Sequence, residues 1–286
     1  MRKWVDTYLT ELANKDSSIR LLIADVGDFP LFSQKHPDKF INVGVSESNC
    51  IGIASGLSFE GLRVFVYGVS SFFLYRAYEQ LKYCISYWRR NVTFIGVGFG
   101  WKYFNIGAGH FCPDDIALVK SLPFFRVSVP CTLKQLVASL RGSENGPHYI
   151  RLTANILPDG EESDTDVDSA DLLIATYGEM VSSCREVVKG LNRLGNVSIG
   201  LSSIQSFDDE AITDLAERIC NKKVVVVEDH IAQGGLFSRL LERSVKVCGH
   251  INLPLWPDKV AETRQSLVRL YGMDKESIIN FIMSIR

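Results

Sequence analysis

The sequence predicts an α/β fold of two domains, each built on a mostly parallel sheet, and three observations predict it. Strand-length apolar runs alternate with stretches of helical spacing along the whole chain, as strands joined by helical crossovers do. The 286 residues are about what two domains need. The composition also changes once: residues 158–171 are acidic and poor in apolar side chains, as a solvated connection would be. The expected division is a first domain over 1–157, a linker over 158–171 and a second domain over 172–286.

In the first domain, residues 21–24, 64–67, 92–97, 125–129 and 148–152 read as strands, the last after an Asn145-Gly146-Pro147 turn. Helical spacing covers 70–88 and 132–140. The most informative stretch is Phe40-Ile41-Asn42-Val43-Gly44-Val45-Ser46-Glu47, running into Ile51-Gly52-Ile53-Ala54-Ser55-Gly56-Leu57. A β-type run ends in a glycine turn, and a Ser-Glu pair opens a helix of small and apolar residues. With no polar face to give to water, that helix is expected to be buried. Glu47 stands at its mouth, where a carboxylate is costly unless something specific uses it. A plain helix opening, with Ser46 as N-cap and Glu47 favoured by the helix dipole, accounts for the same pair without chemistry. In the second domain 172–176, 197–201 and 223–227 read as strands, and 181–194, 208–220 and 235–243 as helices.

Composition narrows the function classes. Thirty-one basic and 33 acidic residues nearly balance, which gives no basic stripe for nucleic acid and no membrane-binding face. The longest apolar runs, such as Val224-Val225-Val226-Val227, are far too short to span a bilayer, and the N-terminal residues lack the apolar core of a signal peptide. Seven cysteines, an odd number without any Cys-x-x-Cys pair, fit reduced thiols in the cytoplasm better than disulfides or zinc.

The segment from Phe40 to Leu57 resembles the catalytic-glutamate motif of the transketolase family of thiamine-diphosphate enzymes, in their pyrimidine-binding domain. The resemblance implies that Glu47 hydrogen-bonds the cofactor's aminopyrimidine and favours the tautomer that deprotonates the thiazolium carbon, a task suited to a buried carboxyl with a raised pKa. Ser70-Ser71-Phe72-Phe73-Leu74-Tyr75-Arg76-Ala77-Tyr78-Glu79-Gln80 is similar to the family segment that stacks an aromatic ring on the pyrimidine. Phe73 matches that ring best, and Arg76 holds the cofactor pocket by ion pairing. Asp25, after the first strand, matches an acidic position near the pocket. Gly107-Ala108-Gly109-His110 resembles the loop that brings a histidine to the reacting carbon, where His110 would hydrogen-bond the donor carbonyl. Val227-Glu228-Asp229-His230 with Gly234-Gly235-Leu236 looks like the family's C-terminal domain, and Asp229-His230 reads there as a structural hydrogen-bonding pair rather than a dyad.

No Gly-Asp-Gly followed by paired Asn occurs, so the magnesium and diphosphate ligands of the family are missing and no metal ligand is assigned. The resemblance covers the whole chain but only the C-terminal half of a full-length transketolase. It therefore implies one subunit of a split enzyme, with an N-terminal partner carrying the diphosphate-binding domain and magnesium, and a heterotetramer of two plus two. The activity implied is transfer of a two-carbon ketol unit from a ketose to an aldehyde. Substrate ligands depart from the family: Ala154 falls where a phosphate-binding arginine is expected, Phe29 near a serine, Gly98-Phe99-Gly100 where a histidine belongs, and Ile106 at a sugar-reading aspartate. Arg151 is the nearby candidate for substrate binding. An atypical or non-phosphorylated acceptor is the expectation. The beta chain of a 2-oxoacid dehydrogenase and a non-catalytic interaction subunit of the same fold are the alternatives.

Overall fold

The computed structural model describes residues 1–142, 146–161, 164–193, 198–258 and 261–285. Asn145 of the expected turn, the ends of two expected elements at 194 and 197, and parts of the linker and of the second domain lie outside the described residues. In chain order the first unit holds α1 (Arg2–Lys15), β1 (Ile19–Ile23), α2 (Pro30–Lys35), β2 (Phe40–Asn42), α3 (Glu47–Phe59), β3 (Arg63–Val69), α4 (Ser70–Arg76), α5 (Tyr78–Gln80), β4 (Val92–Val97), α6 (Asp115–Lys120), β5 (Arg126–Ser128), α7 (Leu133–Arg141) and β6 (His148–Arg151). The second holds β7 (Leu172–Tyr177), α8 (Met180–Arg193), β8 (Ile199–Ile204), α9 (Asp209–Ile219), β9 (Lys223–Val227), α10 (Leu236–Leu241), β10 (Val247–Ile251), α11 (Arg264–Leu270) and α12 (Lys275–Ser284).

The strands pair in parallel as a six-stranded sheet, β2-β1-β3-β4-β6-β5, and a four-stranded sheet, β10-β9-β7-β8. Both sheets are covered on both faces, so alternate residues of one strand feed different cores. Leu22, Val64, Val66 and Phe94 join α3 residues Cys50, Ile51 and Ala54 in a core that continues to Tyr177, Phe207 and Val224 of the second unit. The intervening Leu21, Ile23, Phe65 and Ile95 pack against Val5 and Leu9 of α1 and Leu136 and Leu140 of α7. On the far face of the second sheet Ile174, Val225 and Val227 meet α8 and α12. The first sheet reverses strand order at β1 and β3, and loops after these strands open the crevice where doubly wound sheets receive ligands.

Three expectations are corrected. The stretch 70–88 is not one helix. The Arg76 carbonyl takes a hydrogen bond from the Ser48 hydroxyl at 3.2 Å, Ala77 leaves helical geometry (φ −123°, ψ 23°), and the chain resumes as α5 and then a π-turn over Leu81–Ser86. The acidic connection is not simply solvated: Thr165 and Leu201 exchange backbone hydrogen bonds at 2.9 Å, and the Asp164 carboxylate accepts from the Ser202 hydroxyl and the Ser203 amide. Nor is α3 buried all round. Asn49, Gly52, Gly56 and Phe59 form an open stripe at helical spacing, and a Cβ at either glycine would meet nothing within 4 Å.

Candidate functional site

The site grows from the carboxyl ends of β1 to β4. After β2 the chain turns at Gly44, whose φ of 71° favours glycine, and Ser46 takes the N-cap position so that Glu47 is the first residue of α3. The Glu47 side chain is 6% exposed and lies at the positive end of the helix dipole. Arg76, the last residue of α4, places Nη1 3.2 Å from its Oε1. The same guanidinium lies 4.1 Å over the Phe72 ring, and Phe72 meets the His110 ring edge-on at 4.8 Å. Glu47, Arg76, Phe72 and His110 therefore form one contiguous row, drawn from the loops after β2, β3 and β4. Asp25 sits on the same rim, exposed and with φ 53°, its amide donating at 3.1 Å to the Asn42 side chain that also receives the Gly44 amide.

Two expected site residues lie elsewhere. Phe73 is buried, its ring packed near Phe94 and so close over Gly68 that a Cβ there would be 2.1 Å from it. The aromatic facing Arg76 and His110 is its neighbour Phe72. The spacing held that signal, since Phe72 and Arg76 are four apart and share a helix face, whereas Phe73 is turned about 100° away. Arg151 reaches no open surface. Its Nε donates to Asp115 Oδ2 at 2.9 Å, Nη1 to Asp229 Oδ1 and Nη2 to the Asp229 carbonyl at 3.0 Å, under the Phe99 ring at 3.9 Å. Asp115 also receives the Tyr149 hydroxyl at 2.8 Å. Burial pushes the Asp229 carboxyl up while Arg151 pulls it back. Arg151 thus ties the two units together and holds the start of α6, the helix that follows the His110 loop. Asp229 and His230 are structural as expected, but not through each other: His230 Nε2 accepts from the Ala117 amide at 3.3 Å, while Nδ1 faces the Ile231 carbonyl at 2.8 Å.

A cavity of about 340 Å³ adjoins this rim, lined among others by Arg2, Lys102, Tyr103, Ala154, Glu179 and Arg264. Tyr103 joins it to the site, its ring 6.2 Å from that of His110. Glu179 pairs with Lys102 and, at 3.7 Å, with Arg264. Burial lowers the Lys102 pKa, partly offset by Glu179. Of the other departing positions, Phe29 is core beside Tyr67, and Ile106 is 57% exposed. Lys102, Glu179 and Arg264 were not expected from the sequence, because no local pattern joins residues so far apart.

Could these residues hold the expected cofactor? A buried carboxylate, a guanidinium and an aromatic face suit the edge and plane of an aminopyrimidine. Among the described residues, no three His, Cys, Asp or Glu side chains gather as a metal site. Among the described residues, Cys50, Cys84, Cys112, Cys184, Cys220 and Cys248 form no disulfide. No helix among the described residues is long and apolar enough to cross a membrane.

Fold and site together define a doubly wound, two-sheet α/β protein with a polar site on the carboxyl rim of its first sheet. Residues 1–159 match the transketolase pyrimidine-binding domain and residues 161–278 the transketolase C-terminal domain, and the chain belongs to the transketolase family. It is 30% identical over 296 residues to one of the subunits of the apulose-4-phosphate transketolase of Phocaeicola vulgatus, covering 97% of this chain and 94% of that one. It is also 30% identical over 256 residues to a 6-deoxy-6-sulfo-D-fructose transketolase subunit of a Clostridium species, covering 83% and 79%. A solved split-gene transketolase, described as an inactive β4 tetramer, superposes with a TM-score of 0.80 at 25% identity, covering 99% and 97%.

Proposed function

We propose that this chain is the C-terminal subunit of a split, thiamine-diphosphate-dependent transketolase that moves a two-carbon ketol unit from a ketose to an aldehyde. The observation that carries the reading is the contiguous row Glu47–Arg76–Phe72–His110 on the sheet rim. Bound thiamine diphosphate would supply the nucleophilic carbon. Glu47 would hydrogen-bond the pyrimidine ring nitrogen, with Arg76 fixing its side chain and bounding the cofactor pocket. Phe72, rather than Phe73, would cover the ring plane, and Asp25 would line the rim. His110 would hydrogen-bond the donor carbonyl and the oxyanion that develops from it.

The same reading gives the diphosphate and magnesium ligands to an N-terminal partner subunit, in a cytoplasmic heterotetramer of two plus two. The open stripe of α3 supports a partner, as do the exposed apolar side chains Val45, Phe59 and Trp88. So do the relatives named as subunits and the inactivity ascribed to a solved relative built of one chain type. The acceptor is one not held by the family's usual phosphate ligands, since Ala154 and Gly98 offer no side chain for it. Co-expression with the N-terminal subunit tests the reading: ketol transfer by the mixture and by neither chain alone supports it. A stable complex that decarboxylates 2-oxoacids and transfers no ketol unit would overturn it.

A further inference from the structure

We propose that Tyr67 and Tyr103 are specificity-determining residues, whose hydroxyls read the neutral, hydroxylated end of an open-chain aldehyde acceptor in the cavity beside His110. The inference rests on the transketolase reading and deepens it, naming the acceptor as an uncharged polyhydroxyl aldehyde and the groups that recognise it.

Three observations carry it. The first is a pair of tyrosine rings, each laid over a glycine. Tyr67, from β3, lies so close to Gly27 (φ 90°) that a Cβ there would be 2.8 Å from its ring, and Phe29 meets the ring edge-on at 4.9 Å. Tyr103, in the loop after β4, covers Gly98 (φ 75°), where a Cβ would be 2.3 Å from its ring. A side chain at either glycine would displace one of the two rings. Both rings line the cavity, and Tyr103 stands 6.2 Å from His110, ring to ring.

The second observation is the state of the hydroxyls. Tyr67 is only 5% exposed, yet its hydroxyl has no hydrogen-bond partner among the described residues and is left to bond what enters the cavity it lines. A buried tyrosine hydroxyl ordinarily finds a partner, because leaving the bond unmade is costly. Burial pushes the Tyr67 phenol up to about 12, the Tyr103 phenol adding to the rise, so the hydroxyl stays protonated and can donate. The third is charge. Arg2 is exposed and the Arg264 side chain half-exposed, so water solvates both from outside. The enclosed charges of the wall are Lys102 and Glu179, which pair with each other. Such a wall offers hydroxyls to a sugar and no spare cation to a phosphate, whose burial there would be costly. Its volume lies in the range of roughly 300–1,000 Å³ usual for small-molecule pockets.

The test compares the assembled two-chain enzyme with its Tyr67→Phe and Tyr103→Phe variants, which lose one oxygen each and keep the packed ring. Acceptors are an unphosphorylated five-carbon aldose, its phosphorylated counterpart, and a two-carbon hydroxyaldehyde too short to pass His110. The expected result is a fall of roughly three- to tenfold in kcat/KM on the neutral aldose for each variant, chiefly through KM, with the two-carbon acceptor unchanged. Equal losses on both acceptors, or a wild-type preference for the phosphorylated aldose, would overturn the proposal. Binding of a neutral five-carbon alditol to the full chain is measured in parallel by saturation-transfer NMR. A wild-type signal weakened in both variants supports the hydroxyl pair even where no ketol transfer is found, which would sink the transketolase reading alone. No wild-type signal, or one unchanged in the variants, would sink the hydroxyl pair and leave the transketolase reading standing.

Discussion

Replacing Arg151 by methionine keeps most of its length and removes its charge from a fully enclosed place. The guanidinium is 1% exposed and serves two carboxylates, Asp115 at 0% and Asp229 at 9% exposure. It also donates to the Asp229 carbonyl and lies under Phe99. Removing one partner of such a buried cluster leaves carboxylates uncompensated and costs about 3–5 kcal/mol. The pH dependence sharpens the prediction. Burial already raises the Asp229 pKa, and Arg151 is a main influence lowering it, so the variant raises it further. A carboxyl whose folded pKa lies above its unfolded value gains stability below the unfolded value and loses it as pH rises through the folded one. The deficit is therefore largest near neutral pH and shrinks as the solution approaches about pH 4, the unfolded carboxylate range. Urea unfolding of both proteins at several pH values measures it. A deficit below about 1 kcal/mol, or one independent of pH, would refute the reasoning that this cluster is charged and binds the two units together.

Burial, helped by Arg126, pushes the His148 imidazole down to about 3, so it stays neutral in the fold and protonates in the unfolded chain below about 6.5. Its contribution is complete above that value and is lost as pH falls towards 3, at about 1.4 kcal/mol per pH unit. His148→Gln should remove that slope from urea unfolding, and an unchanged slope would contradict it. Phe73→Ala should cost about 3–5 kcal/mol, since the ring is core. Phe72→Ala should cost under about 1 kcal/mol of stability but weaken cofactor capture by the assembled enzyme several-fold, as loss of an aromatic face does. The reverse order in unfolding and cofactor titration would restore Phe73 to the pocket.

Parallel strands are legible because burial on both faces leaves nearly continuous apolar runs; Val92–Val97 and Lys223–Val227 are read to the residue. By contrast β10 escapes a sequence reading, because Cys248-Gly249-His250 breaks the apolar run and the pairing with β9 slips between Val247 and Gly249. The N-terminal α1 escapes it too. Its buried stripe includes Asp6, whose carboxylate accepts from the Leu31 and Phe32 amides and caps α2, a tertiary use that hides the amphipathic pattern. The rim residues Glu47 and His110 could be singled out because glycine turns precede them. The fate of Arg151 could not, because its partner Asp229 lies 78 residues away in the other unit.

The central claim is that Glu47, in its row with Arg76, Phe72 and His110, works as a catalytic carboxylate in a two-chain transketolase. The most direct measurement is ketol transfer by this chain co-purified with the N-terminal subunit, with thiamine diphosphate and magnesium, for wild type and Glu47→Ala. The account predicts activity only in the complex, and a fall of about a hundredfold or more in kcat for the variant while the complex stays assembled. Undiminished turnover by the assembled Glu47→Ala complex would contradict it.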